Sequence, residues 1–557
     1  MSILKKLKDR SVRWTVSMFK KHWPLIMTIG ILWLTITILL ILSLRQNQEH
    51  LVYALDDPYI HMAIAKNFAQ HGIWGVTKYG FTSTSSSLLW TLLLSFIYFC
   101  GGVNEVTPLI LNIIFATLTV CLIYALLRRY KFPSFYIFAV LLVTIFFTPL
   151  PALIFSGMEH TLHIFITISF VYLTAQILSK EEPDFLEWSL LLILVPLVTM
   201  VRYEGLFLIL VVFVLFTVKK KLQHSLLLGG LAVIPIAIYG VISIISGWYF
   251  LPNSVLLKAN VPPTTSLIYI GKFVYNIFAQ VHILILILLA LTLFILQFDK
   301  QKLLWKDSTT MLAIFIATTL LHMLFARTGW FFRYEAYLVA LGIFVIAIGL
   351  YEYLPEKLPT YFEKSLIPKY VAIALLILIV ISPLAGRGLI SLIITPQATN
   401  NIYEQQYQMG LFLKQFYQGE SVAANDIGAI NFLADIKCLD LWGLGSLEVA
   451  KAKRNGNYDT QLIYNLAKQK KVRVAIVYDH WFEGYGGIPS QWIKVGEWKI
   501  SNNVVCGGDT VSFYAVNPKE ESKLIENLRT FSSQLPKDII QRGRYTKEGV
   551  IVCKNPE

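Results

Sequence analysis

The sequence predicts a polytopic α-helical membrane protein of about eleven transmembrane helices, N-terminus inside and C-terminus outside, ending in a soluble α/β domain. Three observations carry that prediction. Of 557 residues, 56% are hydrophobic and 15% charged, against roughly 45–50% and about 25% in soluble chains, and mean hydropathy is +0.60. Apolar runs of bilayer-spanning length recur from Pro24 onward. From about Arg387 the composition becomes that of a soluble domain, so the chain divides into a transmembrane part, 1–386, and a soluble part, 387–557.

The first run, Pro24 to Leu44, follows a basic leader (Lys5, Lys6, Lys8, Arg10, Arg13, Lys20, Lys21) and is too long for a signal-peptide core. It reads as a retained span with the N-terminus inside. Residues 45–106 then form a first outer loop, because the apolar stretch Leu88–Cys100 is too short to span and reads as an interfacial helix. Further spans are expected near 107–127, 134–152, 161–179, 188–201, 205–218, 225–246, 281–298, 309–326, 335–353 and 370–386. This threading puts 20 Lys and Arg in short inner segments and eight in the outer loops, the asymmetry the positive-inside rule requires. The net charge of +14 is thereby absorbed by topology and excludes a nucleic-acid partner. In the tail, 421–426, 472–479 and 510–516 read as buried strands, and 402–418, 459–470 and 519–533 as helices. With three cysteines there, Cys438, Cys506 and Cys553 allow at most one bridge.

The polar residues that carry chemistry gather on the outer side. They are Asp56, Asp57 and His61 in the first loop, Glu159 and His160 in the second, and Arg202 and Glu204 in the third. Asn253 and Lys258 follow in the fourth loop, and Arg327, Arg333 and Glu335 in the fifth. Ionisable groups at the margin of hydrocarbon are costly, so their convergence marks a polar site. Adjacent carboxylates before Pro58 supply a general base, a metal ligand or a helix cap. Arg202 and Arg333 suit an anionic phosphate, or ion pairs with Glu204 and Glu335. Lys258 neutralises a phosphate or snorkels. His61, His160 and His163 lack the spacing of a zinc site. The run 79–87 suits sugar hydroxyls or a solvated loop, and Trp442, Trp481 and Trp492 suit a glycan or the domain core.

Five stretches in order carry a resemblance: DDPYIHMAIAKNFAQHG (56–72), SGMEHTL (156–162), RYEGLFL (202–208), LPNSVLLKA (251–259) and NDIGAINFLADIKCLDLWGL (425–444). Together they resemble the GT-C superfamily of polyprenyl-phosphate-dependent glycosyltransferases, most closely the bacterial cell-wall arabinofuranosyltransferase-like group. Tyr203 stands where Pro is common in that pattern and Ser254 where Thr is common. The resemblance implies a multi-pass cell-membrane enzyme with an extracytoplasmic site. A polyprenyl-phosphate-linked sugar donor would enter from the bilayer lipids. A glycan, lipid or protein acceptor would arrive from outside, with inversion at the anomeric carbon. It implies Asp56 or Asp57 as base, Glu159 on the acceptor side, and Arg333 with Lys258 on the donor phosphate, with His61, His160, Arg202, Glu204 and Asn253 around them. No cofactor is certain; members that use a divalent cation (Mg, Mn or Ca) would hold it here at Asp56 and Asp57. Two other classes stay open, a transporter or flippase of a lipid-linked saccharide and a non-catalytic envelope assembly protein. A transporter should carry its ionisable residues near mid-bilayer, whereas here they lie at one interface.

Overall fold

The computed structural model describes residues 2–258, 271, 278–297, 305–353, 367–546 and 550–551. Lys272, Lys300, Lys302, Lys357, Lys364 and Cys553, and the side chains of Lys5, Lys6, Lys8, Arg10, Arg13, Lys258 and Lys369, lie outside the described residues.

Among the described residues, six helices are long and apolar enough to cross a bilayer. They belong to α1 (Ser2–Gln46), α4 (Thr107–Arg129), α7 (His160–Ser179), α10 (Leu222–Ile245), α13 (Asp307–Phe325) and α14 (Ala336–Tyr353). Five shorter apolar helices join them: α3 (Leu88–Gly101), α5 (Ser134–Phe147), α8 (Phe185–Val201), α9 (Gly205–Val218) and α12 (Val281–Leu296). The protein is a multi-pass membrane protein. Trp33, Leu34, Ile110, Ile245 and Ile295 stay exposed on its helices, as side chains facing lipid do.

The expected span 134–152 is not one helix. Two prolines, Pro149 and Pro151, end α5 at Phe147 and start a separate α6 (Leu150–Phe155). The first outer loop folds into α2 (Asp57–His71) and α3, which pack on each other. A fourth-loop helix, α11 (Asn253–Lys258), follows α10.

Helix α15 (Ile367–Ile402) passes through position 387 without a break. A π-helical turn at Tyr403–Tyr407 carries the chain on into α16 (Gln408–Phe416) and the soluble domain. The π turn re-aims the helix so that Gln405 and Gln406 face the domain, where both hydrogen-bond Tyr478.

The domain is a seven-stranded mixed sheet in the order β2-β1-β3-β5-β4-β6-β7. The strands are β1 (Ser421–Ala424), β2 (Lys437–Asp440), β3 (Val474–Val477), β4 (Ile493–Lys499), β5 (Thr510–Ala515), β6 (Ile540–Gly543) and β7 (Val550–Ile551). β1 pairs β2 and β3 in parallel, and the remaining pairs are antiparallel. β1, β3 and β5 lie within the apolar runs expected to be strands. Four helices cover or flank the sheet: α17 (Ala429–Leu433), α18 (Leu447–Asn455), α19 (Thr460–Gln469) and α20 (Glu521–Ser532). Cys438 and Cys506 are free thiols.

The domain docks on the first outer loop through α17, which is gripped at both ends. Asp56 accepts hydrogen bonds from Gly428 N (2.7 Å) and Ala429 N (2.8 Å) at its N-terminus. The Lys66 ammonium donates to the carbonyls of Asn431 (3.2 Å) and Phe432 (2.5 Å) near its C-terminus. Each side chain satisfies backbone groups that the short helix leaves unpaired, N–H groups at its start and carbonyls near its end. A Cβ on Gly428 would lie 2.1 Å from the Asp56 carbonyl oxygen, so only glycine permits this approach. Two further hydrogen bonds extend the seam, Asn253 Nδ2 to the Gly443 carbonyl at 2.9 Å and Thr84 Oγ1 to the Leu444 carbonyl at 3.1 Å. Gly428→Ala is expected to push the domain off α2 at a cost of about 1–3 kcal/mol. Limited proteolysis in detergent should then release the C-terminal domain faster than in wild type; an unchanged rate would contradict the clamp.

Candidate active site

Two neighbouring cavities meet where the first loop, the fifth loop and the soluble domain converge. The first, about 440 Å³, is lined by Asp56, Asp57, Arg327, Trp330, Arg333 and Tyr334 from the membrane part. From the soluble side come Gln406, Asn425, Asp426, Trp442, Trp481 and Cys506. The second, about 160 Å³, lies toward the bundle and is lined by Ser86, Arg202, Tyr203, Glu204, Phe207, Ser254 and Phe325. Asp57, Arg327, Arg333 and Tyr334 line both.

Asp57 is the first residue of α2, held there by Pro58 in the first turn. Its carboxylate pairs with the buried guanidinium of Arg333, yet its side chain keeps 25% exposure. Asp56, one residue earlier, points away and spends both oxygens on the backbone of α17. Two adjacent carboxylates thus do different jobs, as their divergent directions at a helix start require.

Arg333 reaches the junction from a loop in an unusual conformation. Gly329, Trp330, Phe331 and Phe332 have φ of +81°, +43°, +54° and +60°, a left-handed run that costs bulky side chains about 1–2 kcal/mol each. Glu335 and Arg387 brace it. Glu335 accepts from Gly329 N at 2.7 Å, and Arg387 donates to Glu335 and to the Phe332 carbonyl, both at 2.7 Å. Arg333 therefore pairs with Asp57 and leaves Glu335 to Arg387. That role of Arg387, a residue expected only to mark a domain boundary, has no local sequence signal.

Arg202 lies between two carboxylates, donating to Glu159 at 2.6 Å and to Glu204 at 2.8 and 3.2 Å. Glu159 is buried behind this pair and lines neither cavity. Gly157 makes its approach possible: φ is +68°, and a Cβ there would meet the Tyr53 ring at 2.6 Å.

Three residues expected to bind substrate are placed elsewhere. His61 hydrogen-bonds Thr91 Oγ1 at 2.8 Å, with its Nε2 4.0 Å from Glu159. His160 is buried at the start of α7. Asn253 ties the fourth loop to Ser83 and Gly443. His163 stacks on Tyr337. The polar run 79–87 forms a buried seam through Ser83, Ser85 and Ser87, with Ser86 alone reaching the second cavity. Trp492 is core, whereas Trp442 and Trp481 line the first cavity.

In the acidic pair, both Asp56 oxygens accept backbone N–H donors and one Asp57 oxygen pairs with the Arg333 guanidinium. Among the described residues no group of three His, Cys, Asp or Glu is arranged to hold a metal ion.

Asp426, absent from the expected site, faces Asp56 across the first cavity and accepts from Gln406 at 2.8 Å. Burial, and then the Asp426 carboxylate, push the Asp56 carboxyl up to about 8 against the pull of its two N–H donors. Burial also raises Asp426, to about 6. A carboxyl raised in the folded state stabilises docking below its unfolded pKa, and that contribution is lost as pH rises from about 4 through about 8. Release of the soluble domain by protease should therefore quicken across that window. Asp426→Asn should flatten the profile, and an identical profile in the variant would refute the coupling.

A family model described as a domain of unknown function (DUF8728) matches residues 400–514. No curated protein matches the chain. Among solved structures, ArnT from Cupriavidus metallidurans bound to undecaprenyl phosphate is similar at a TM-score of 0.51 and 11% identity, over 88% of this chain and 98% of that one. Its apo state gives a TM-score of 0.49 at 13% identity over the same shares. The likeness is one of fold.

Proposed function

We propose that this protein is a membrane glycosyltransferase. It moves a sugar from a polyprenyl-phosphate donor to a hydroxyl of an extracytoplasmic acceptor, with inversion at the anomeric carbon. The observation that carries the reading is the Asp57–Arg333 pair at the junction of two cavities. The fold supports it, since the similar ArnT structure holds undecaprenyl phosphate.

In this reading the donor phosphate lies in the second cavity, beside Arg333 and Arg327. Arg202, already shared by two carboxylates, contributes its field more than a free donor group. The acceptor hydroxyl enters from the first cavity. Asp57 takes its proton, the oxygen attacks the anomeric carbon, and the bond from that carbon to the phosphate oxygen breaks with its electron pair. Polyprenyl phosphate leaves, its new negative charge met by guanidinium groups placed in advance. Asp56 serves by docking the soluble domain, and Glu159 by orienting Arg202. The resemblance to the arabinofuranosyltransferase-like group makes a pentose donor the first to assay.

Purified protein given polyprenyl-phosphate pentoses and hexoses should release polyprenyl phosphate. Asp57→Asn should lower that rate by about 10²–10⁴, the contribution of a general base, and Arg333→Ala should fall with it. Asp56→Asn should retain more activity than Asp57→Asn; equal rates in wild type and Asp57→Asn would sink the assignment.

The site and the soluble domain are proposed to face outward at the cell membrane. On a cysteine-free background, Lys468→Cys should react with a membrane-impermeant maleimide in intact cells, and Lys220→Cys only after permeabilisation. Both residues are exposed. The reverse pattern would invert the topology.

A further inference from the structure

We propose that the soluble domain forms the acceptor-recognition wall of the first cavity, and that the acceptor is a neutral saccharide. The inference rests on the glycosyltransferase reading for the word acceptor, and on the cavity itself for the ligand class. The cavity's size falls within the about 300–1,000 Å³ of small-ligand sites.

Its outer wall pairs indole rings with polar side chains. Trp442 and Trp481 lie 4.5 Å apart between ring centroids, tilted by 50°. Both are only partly buried, although the domain has a core that takes Trp498 and Trp492 almost completely. Trp330, 53% exposed on the strained fifth loop, lines the same space. Trp442 is held from behind. The Lys453 ammonium sits 3.2 Å over its ring and is itself enclosed by Tyr458 and Tyr485 at 4.9 and 5.3 Å. A ring pinned on one face by a cation–π contact is a rigid platform on the other.

Indole faces bind the C–H faces of sugar rings, while carboxylates and amides take up hydroxyls as acceptors and donors. Asp426 and Asn425 supply those groups beside the two tryptophans. Charge then selects among ligands. Asp57 and Asp426 face this cavity against Arg327 and Arg333, and Arg333 is already engaged by Asp57. These charges balance, so the cavity offers an anionic acceptor no net attraction. A lipid chain would strip water from Asp426 and Asn425 and give nothing in return. A sugar bound on the indoles presents its hydroxyls within the same cavity as Asp57.

The test uses the full-length protein in detergent, titrated calorimetrically with methyl glycosides of neutral disaccharides (gluco, galacto, manno, arabino and N-acetylglucosamine) and with a serine-containing peptide. At least one disaccharide should bind. Trp442→Ala and Trp481→Ala should each weaken it about tenfold, roughly 1.4 kcal/mol. Trp481→Phe should recover part of the loss, and Lys453→Met should weaken binding less. Asp57→Asn should bind sugar normally while failing to turn over donor. Undiminished binding in both Trp→Ala variants, no binding of any disaccharide, or turnover supported only by the peptide would overturn the inference. Saccharide binding that depends on the tryptophans, with no donor turned over by wild type, would instead sink the transferase reading and leave the saccharide site standing.

Discussion

The first cavity depends on one small helix held at both ends. Residues 429–433 form barely more than a turn, too short to be stable alone, yet Asp56 and Lys66 fix its two termini. The grip joins a helix of the first outer loop to a domain more than 360 residues later in the chain. It seats the wall of the first cavity that the soluble domain supplies, since Asn425, Asp426, Trp442 and Trp481 all belong to that domain. The clamp also separates the two consecutive aspartates: one holds the domain, and that leaves its neighbour facing the junction of the cavities.

Charge neutralisation shapes the rest of the site. Arg202 is balanced by Glu159 and Glu204, Arg333 by Asp57, and Arg387 by Glu335. Buried charges at a membrane margin persist only when paired. Asp57, the partner of Arg333, lines both cavities and keeps more exposure than Glu204, which lines the second alone, so a phosphate can share the Arg333 guanidinium without stranding a buried carboxylate. The left-handed turn at 329–332 is the cost of bringing Arg333 there, and Glu335 with Arg387 keeps it in place.

The helical membrane part was legible because lipid imposes length and hydropathy on every span. The interior of the expected 134–152 span was misjudged because hydropathy is blind to Pro149 and Pro151 breaking the ladder. In the soluble domain, β1, β3 and β5 announced themselves as buried apolar runs. β4 (Ile493–Lys499) did not: it is half-exposed and carries Lys494, Glu497 and Lys499. β2 is four residues long and holds two charges. Asp57, Arg202, Glu204 and Arg333 stood out as polar groups at the hydrocarbon edge, and the fold brings them to the lining of the two cavities. His61, His160 and Asn253 stood out for the same reason, and none of them lines either cavity.

By itself, then, the sequence determined that the chain crosses a membrane many times, carries a soluble tail, and concentrates its ionisable residues at one level. Those are local consequences of composition and solvent. Which carboxylate faces which guanidinium, that Asp56 docks and Asp57 stays open, and that Asp426 and two tryptophans complete the cavity were decided by tertiary structure. The reason is physical: each of those facts is a contact between segments hundreds of residues apart, and no local pattern records which way a side chain turns once the partner arrives.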